Sequence, residues 1–297
     1  MSSITWRFLL SGPQEPALSS ACPELRRRVE GPALNMAIDE ALLLRCKRES
    51  SSPVLRLYTW NPPALSLGRF QKASEEIDLE ACRRRGIPIV RRPTGGKAIL
   101  HNRDLTYSVV GPTSIAAWGK DILETYRMVS EALATGLRQL GVAAKLQPVR
   151  KQNPRESALL GACALFPASH EILVEGKKLV GSAQKRLRRS FLQHGSIPVF
   201  SNVETNLELF LGAEQTRGQD RSLWREKSTA LCEQLPTPPT FEELAKAIAG
   251  GFCEFFRIDL APSELSSEEL DQARELVRLK YARQEWNLQG LESICPV

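Results

Sequence analysis

Apolar and polar positions along the chain predict a run of strands and helices in a mixed order. Trp6-Arg-Phe-Leu-Leu10 reads as a first strand. Ser11 to Glu30 has no period, is rich in Pro and Ser, and ends in Arg26-Arg27-Arg28, so a surface loop is expected. Leu34, Ala37, Ile38, Ala41 and Leu42 then recur at helical spacing, with Pro32 where a helix can start. Asp39 and Glu40 alternate with that apolar face and are expected on its solvated side. Leu55-Arg-Leu-Tyr-Thr-Trp60 alternates as a strand does, Asn61-Pro62-Pro63 breaks it, and Ala64-Leu-Ser-Leu-Gly68 resumes. A helix from about Ile77 to Arg85 should end at Gly86, and Ile87-Pro-Ile-Val90 reads as a short buried strand.

The second half continues the pattern. Leu105-Thr-Tyr-Ser-Val-Val110 is a strand. Ile122, Tyr126, Val129, Leu133, Leu137 and Leu140 trace a long amphipathic helix ended by Gly141. Glu171-Ile-Leu-Val-Glu175 and Lys178-Leu-Val-Gly181 read as a hairpin with its turn at Glu175-Gly176. Lys185-Arg-Leu-Arg-Arg189 is the expected tip of a second hairpin, because Phe191 to Val199 reads as a returning strand. Leu235-Pro-Thr-Pro-Pro239 is a linker. Thr240 with Glu243, and Ser266 with Glu269, are capping-box patterns that open two further helices. This divides the chain into residues 1–235 and a small helical C-terminal subdomain, 236–297.

Composition narrows the class. A chain of 297 residues, 42% hydrophobic and 25% charged, is long enough to bury a sizeable core. No apolar run spans a membrane and no basic-then-apolar leader is visible, so a cytoplasmic protein without a membrane partner is expected. Seven cysteines without a C-x-x-C pair favour neither a zinc site nor a disulfide framework, and three histidines are few for a metal centre. The net charge of +6 suits nucleic acid or an acidic protein. The basic residues are not interleaved with aromatics, so nucleic acid is set aside.

Candidate chemistry lies between Gly161 and Val199. Cys163 stands among small residues in a loop that Pro167 ends. The hairpin returns Lys178 towards that loop, where an ammonium within roughly 4–6 Å would favour the thiolate. A thiolate attacks a thioester or amide carbonyl. Taken alone, one cysteine of seven is ordinarily a small core residue, and a hairpin lysine is ordinarily a solvated charge. The second informative stretch is Arg91-Arg-Pro-Thr-Gly-Gly-Lys-Ala98. Its glycines let backbone N–H groups face a ligand, and its arginines offer fixed donors to an oxygen-rich group. The plainer reading is a Gly95-Gly96 hairpin between Val90 and Ile99 with exposed arginines. His101, at a strand end, is ordinarily structural.

Taken together, RRPTGGKAILH from Arg91, KKLVGSAQ from Lys177, LQHGSIPV from Leu192 and NMAIDEAL from Asn35 resemble the biotin/lipoate protein ligase and lipoyl/octanoyl transferase family. Ala162-Cys163 with Pro167 and Glu171 resembles its octanoyltransferase branch. The resemblance implies an α/β (α+β) fold, a mixed sheet flanked by helices. It implies octanoyl transfer from acyl carrier protein to the glycine cleavage H protein or an E2 lipoyl domain. It implies Cys163 as the acyl-thioester residue, Lys178 as the group that lowers its pKa, and no cofactor. Arg92, Gly95, Gly96, His101, Gly181, Ser182, Ala183, Gln184 and His194 would line the acyl tunnel and the carbonyl end. The Gln14–Glu30 segment looks inserted, and His170 stands where the branch more often has an aromatic. The alternatives are an ATP- and Mg-dependent lipoate-protein ligase, an amidotransferase taking acyl groups from H protein, and a non-catalytic acyl-binding protein.

Overall fold

A computed structural model describes residues 4–12, 31–46, 51–148, 170–210 and 217–291. The elements run β1 (Ile4–Ser11), α1 (Pro32–Arg45), β2 (Val54–Tyr58), β3 (Ala64–Leu67), α2 (Ala73–Glu76), α3 (Leu79–Arg84), β4 (Ile89–Arg91), β5 (Ile99–His101) and β6 (Asp104–Pro112). There follow α4 (Ile122–Gln139), β7 (Lys145–Leu146), β8 (Ile172–Val174), β9 (Lys177–Arg186), β10 (Ser190–Pro198), α5 (Val203–Leu209) and α6 (Arg217–Lys227). The last are α7 (Leu231–Gln234), α8 (Phe241–Phe256), β11 (Ile258–Pro262) and α9 (Ser267–Leu276).

The larger described sheet is mixed, in the order β11-β1-β2-β6-β10-β9-β8-β7. β1 pairs in parallel with both β11 and β2, and the remaining pairs are antiparallel. α4 and α8 belong to the core cluster on one face, with Trp6, Trp118 and Phe252 at its centre. α1, α9 and the turns after α9 belong to a second cluster with Tyr58, Val110 and Leu192. The expected fold is therefore the observed one.

Local signals explain most boundaries. Pro32 sits in the first turn of α1, where its missing N–H costs nothing. Both expected capping boxes are formed, at Thr240–Glu243 and at Ser266–Glu269. The β8–β9 turn has φ of 50° at Glu175 and 79° at Gly176, the pair of positive values that a tight two-residue hairpin needs. The Lys185–Arg189 run does form the β9–β10 tip. The helix expected over 77–85 is α3, which starts at Leu79 because Asp78 caps it and accepts from the Ala81 N–H; the short α2 before it was not expected.

Two expectations need correction. Arg91-Arg92-Pro93-Thr94-Gly95-Gly96 is no hairpin: β3 lies between β4 and β5 in a small separate sheet. Nor are its arginines exposed, at 1% and 3%. Beyond Pro239, the chain also makes β11, which the sequence reading passed over; five residues ending in proline carry little pattern. None of the described helices is long and apolar enough to cross a membrane.

Candidate active site

Lys178 is not a solvated hairpin charge. It lies opposite Leu173 at the start of β9, is 3% exposed, and its Nζ donates to Glu171 Oε1 at 2.6 Å. Two charges leave water together only when each satisfies the other. Glu171 thus fixes the ammonium at a defined point of the sheet. Cys163, Ala162 and Pro167 lie outside the described residues, as does the 14–30 segment. His170, at the foot of β8, has φ of 65°. Burial and the nearby Arg127 hold its imidazole below the ordinary value. Among the described cysteines, burial pushes the Cys46 and Cys82 thiols up to about 11, which disfavours the thiolate at both.

A small, mostly apolar cavity lies between α1 and the sheets. Met36 and Trp60 are in its wall, together with Arg92, His101, Ser182, Ala183 and His194. The two histidines are held rigidly. His101 Nδ1 lies 2.8 Å from Asp104 Oδ2, its Nε2 lies 2.9 Å from the Ser66 hydroxyl, and its ring stacks on Trp60 at 4.0 Å. His194 Nδ1 lies 2.9 Å from Asp39 Oδ2, and its Nε2 lies 2.7 Å from the Thr94 hydroxyl.

Asp39 and Glu40 reverse their expected placement, being 0% and 4% exposed on α1. Burial alone would raise Asp39; the His194 hydrogen bond and the Arg56 guanidinium at 2.8 Å outweigh it and hold the carboxyl below its usual range. Burial drives His194 down against the pull of Asp39, so the imidazole is neutral at neutral pH. An ionised carboxylate only accepts, so Nδ1–H donates to Asp39 and Nε2 is left to accept from Thr94. Glu40 is likewise lowered: burial is overcome by Lys280, at 2.8 Å. The sequence carried a signal for the first pair, an arginine inside the apolar strand Leu55–Tyr58 facing an acid on an apolar helix, and that signal was missed.

The glycine-rich loop is built by internal bonds. Arg92 donates to Ser66 O at 3.0 Å, Gly95 O at 2.7 Å and Lys97 O at 2.8 Å. Arg91 donates to the carbonyls of Gly68, Gln71 and Trp286. The donors expected for an oxygen-rich ligand thus hold the loop itself. Gly68 lies flat on Gly96: a Cβ at Gly68 would stand 1.8 Å from Gly96 O.

Beyond Ile99, which both share, a second, larger cavity opens to solvent. Lys178, Gly181 and Ser196 are in its wall, opposite Asn206 of α5 and Trp224 of α6. The structure therefore brings Arg92, His101, Ser182, Ala183 and His194 to one cavity, and Lys178 and Gly181 to its neighbour. Gly95 and Gly96 sit behind Arg92. Gln184 stands apart. It bonds Gln193, which donates to Tyr107, so it lies on the sheet face opposite His194. Its neighbour Tyr107 in turn donates to Ser182 Oγ at 2.6 Å.

The sequence model described as lipoyl protein ligase A/B catalytic domain matches residues 31–253. The chain is 41% identical over 258 residues to octanoyltransferase LipM of Kyrpidia tusciae, covering 86% of this chain and 94% of that one. It is 38% identical over 291 residues to octanoyltransferase LipM of Bacillus subtilis, covering 97% and 99%. Among solved structures it resembles a bipartite lipoate protein ligase from Thermoplasma acidophilum, with a TM-score of 0.76 and 26% identity over 98% of each chain. It also resembles lipoate-protein ligase A bound with ATP, with a TM-score of 0.74 and 27% identity over 96% of this chain and 99% of that one.

Proposed function

Because the chain belongs to the lipoyl protein ligase A/B catalytic-domain family, we propose that it transfers an octanoyl group through a thioester on Cys163. It is an acyltransferase, its reaction is octanoyl transfer in lipoate biosynthesis, and lipoyl-domain proteins are its partners. The donor in this reading is octanoyl-acyl carrier protein, and the acceptor is a lysine of the glycine cleavage H protein or an E2 lipoyl domain.

The Cys163 thiolate attacks the thioester carbonyl. The new carbon–sulfur bond forms, the old one breaks, and the carrier thiolate leaves and takes up a proton. The acceptor ε-amine then attacks the acyl-cysteine, the amide forms with loss of a proton, and the Cys163 sulfur is released. The donor is already activated, so neither ATP nor a metal enters. One observation carries the reading: the Lys178 ammonium is buried and fixed by Glu171 in the wall of an open cavity that shares Ile99 with a smaller apolar one. An acyl chain suits the smaller apolar cavity, and a fixed cation suits the carbonyl end.

Intact-mass measurement tests it. The protein mixed with octanoyl-carrier and no nucleotide should gain one octanoyl group, and apo-acceptor added next should take it over. Cys163→Ala should show no adduct. The likeness to ATP-bound lipoate-protein ligase A favours a second reading, ATP-dependent ligation. Acceptor loading from free octanoate or lipoate only when ATP is present, with no adduct on Cys163, would replace the first reading by the second. Loading of a lipoyl domain from octanoyl-H protein, but not from the carrier, would instead make the protein an amidotransferase.

A further inference from the structure

The walls of the open cavity beyond Ile99 are mostly apolar, from Leu100, Leu179, Phe210 and Trp224. Its polar groups are mainly used within the protein. Asn202 donates to Asn102 O, Ser228 to Trp224 O, Thr229 to Glu233 and Ser196 to Asp104. Asn206 Oδ1 is the exception: it is buried and accepts no hydrogen bond from any described residue. A buried carbonyl oxygen without a donor is costly, and a ligand N–H or O–H in the cavity would relieve it.

Two further facts narrow the ligand. Among the described lining residues the ionisable one is Lys178, and it holds the Glu171 carboxylate at 2.6 Å. The Lys178 charge is thus balanced by Glu171, so the described lining offers a polyphosphate no further cation, whereas a neutral arm needs none. The cavity also adjoins the smaller one at Ile99, and its Gly181 and Ser196 are chain neighbours of Ser182 and Gly195 in the smaller one's wall. An acyl chain in the smaller cavity would therefore have its thioester at the Ile99 junction and whatever carries it in the open one. We infer that the open cavity takes the pantetheine arm of the donor, a neutral chain of amides and methyl groups, with Asn206 Oδ1 accepting an amide N–H. This rests on the thioester reading above and assigns the leaving group its place.

The test compares two small donors on the full chain: S-octanoyl-pantetheine, and S-octanoyl-2-mercaptoethanol, which lacks the amides and methyls. The rate of octanoyl adduct formation is read by intact mass. The wild type should prefer the pantetheine thioester. Asn206→Leu should lose roughly tenfold with it and nothing with the short thioester, since one amide is left unpaired. Ser201→Trp, an exposed position in the cavity wall, should obstruct the long donor alone and does not disturb the core. Equal rates with both donors in the wild type, or equal slowing of both in Asn206→Leu, would overturn the inference and leave the thioester reading standing. Slowing of the short donor by ATP and not by free pantetheine would assign the cavity to a nucleotide and also overturn it. Adduct from neither donor, with octanoyl-carrier inert as well, removes the thioester reading and the inference together.

Discussion

The Lys178–Glu171 pair shows how much one contact changes the meaning of a residue. On the sequence, a lysine two positions after a hairpin turn is a surface charge, and only its distance from Cys163 suggested more. In the fold it is buried against a carboxylate, 3% and 2% exposed in their side chains. Removing one partner strands the other. Lys178→Ala should cost about 3–5 kcal/mol in urea unfolding, while the pair-replacing Lys178→Met with Glu171→Leu should recover much of that. Acylation should be lost in both. Equal stability loss in the single and double variants would show that the pair is not the cause. The same logic governs Asp39. With its neighbour Glu40 it alternates with the apolar face and reads as a wet side, because a helix wheel shows only which residues share a side. That Arg56, Tyr58 and His194 would come from strands β2 and β10 to meet it is a fact of long-range pairing, and no local window contains it.

At the scale of elements, the chain's own punctuation was legible. Pro32, Gly86, Gly141, the Glu175-Gly176 turn and both capping boxes are local devices, and each acts where it stands. The small sheet was not legible, since inserting β3 between β4 and β5 is decided by partners outside the sequence window. Its consequence is a loop stack in which Arg69 N–H donates to Thr94 O at 2.8 Å and Gly68 presses on Gly96. Thr94 from that stack holds His194. Gly68→Ala should force the two loops apart and loosen the cavity wall. A displacement near 1 Å at a reacting group can cost about 100-fold in rate, so acylation should fall by that order while far-UV dichroism stays native. A variant with wild-type rate would show that the contact yields without moving the site.

Across the whole molecule, buried ionised pairs join segments far apart in sequence, and this makes stability depend on pH. Asp39, Glu40 and Glu269 are all held below the carboxylate range: burial raises each, and His194 with Arg56, Lys280 and Arg7 respectively overcome it. Their contribution is present above the unfolded value of about 4 and is lost as pH falls through the lower folded values. His194 is also held low, by burial, so the unfolded imidazole takes a proton first. Its share is present above about pH 6.5 and starts to disappear below it. The free energy of urea unfolding, and with it the midpoint, should therefore fall from pH 7 to pH 5, the free energy by up to about 1.4 kcal/mol per pH unit for that one group, and His194→Gln should flatten the slope. A wild-type midpoint constant over that window would contradict the neutral assignment. One architectural fact has a further effect. β1 takes β11 as a neighbour, over 240 positions later in the chain: Ile4 pairs with Ile258. At roughly 5–20 residues per second, the ribosome delivers that neighbour only after tens of seconds. During synthesis the strand edge facing β11 stays uncovered, which makes the nascent chain a natural client for chaperones that shield such edges.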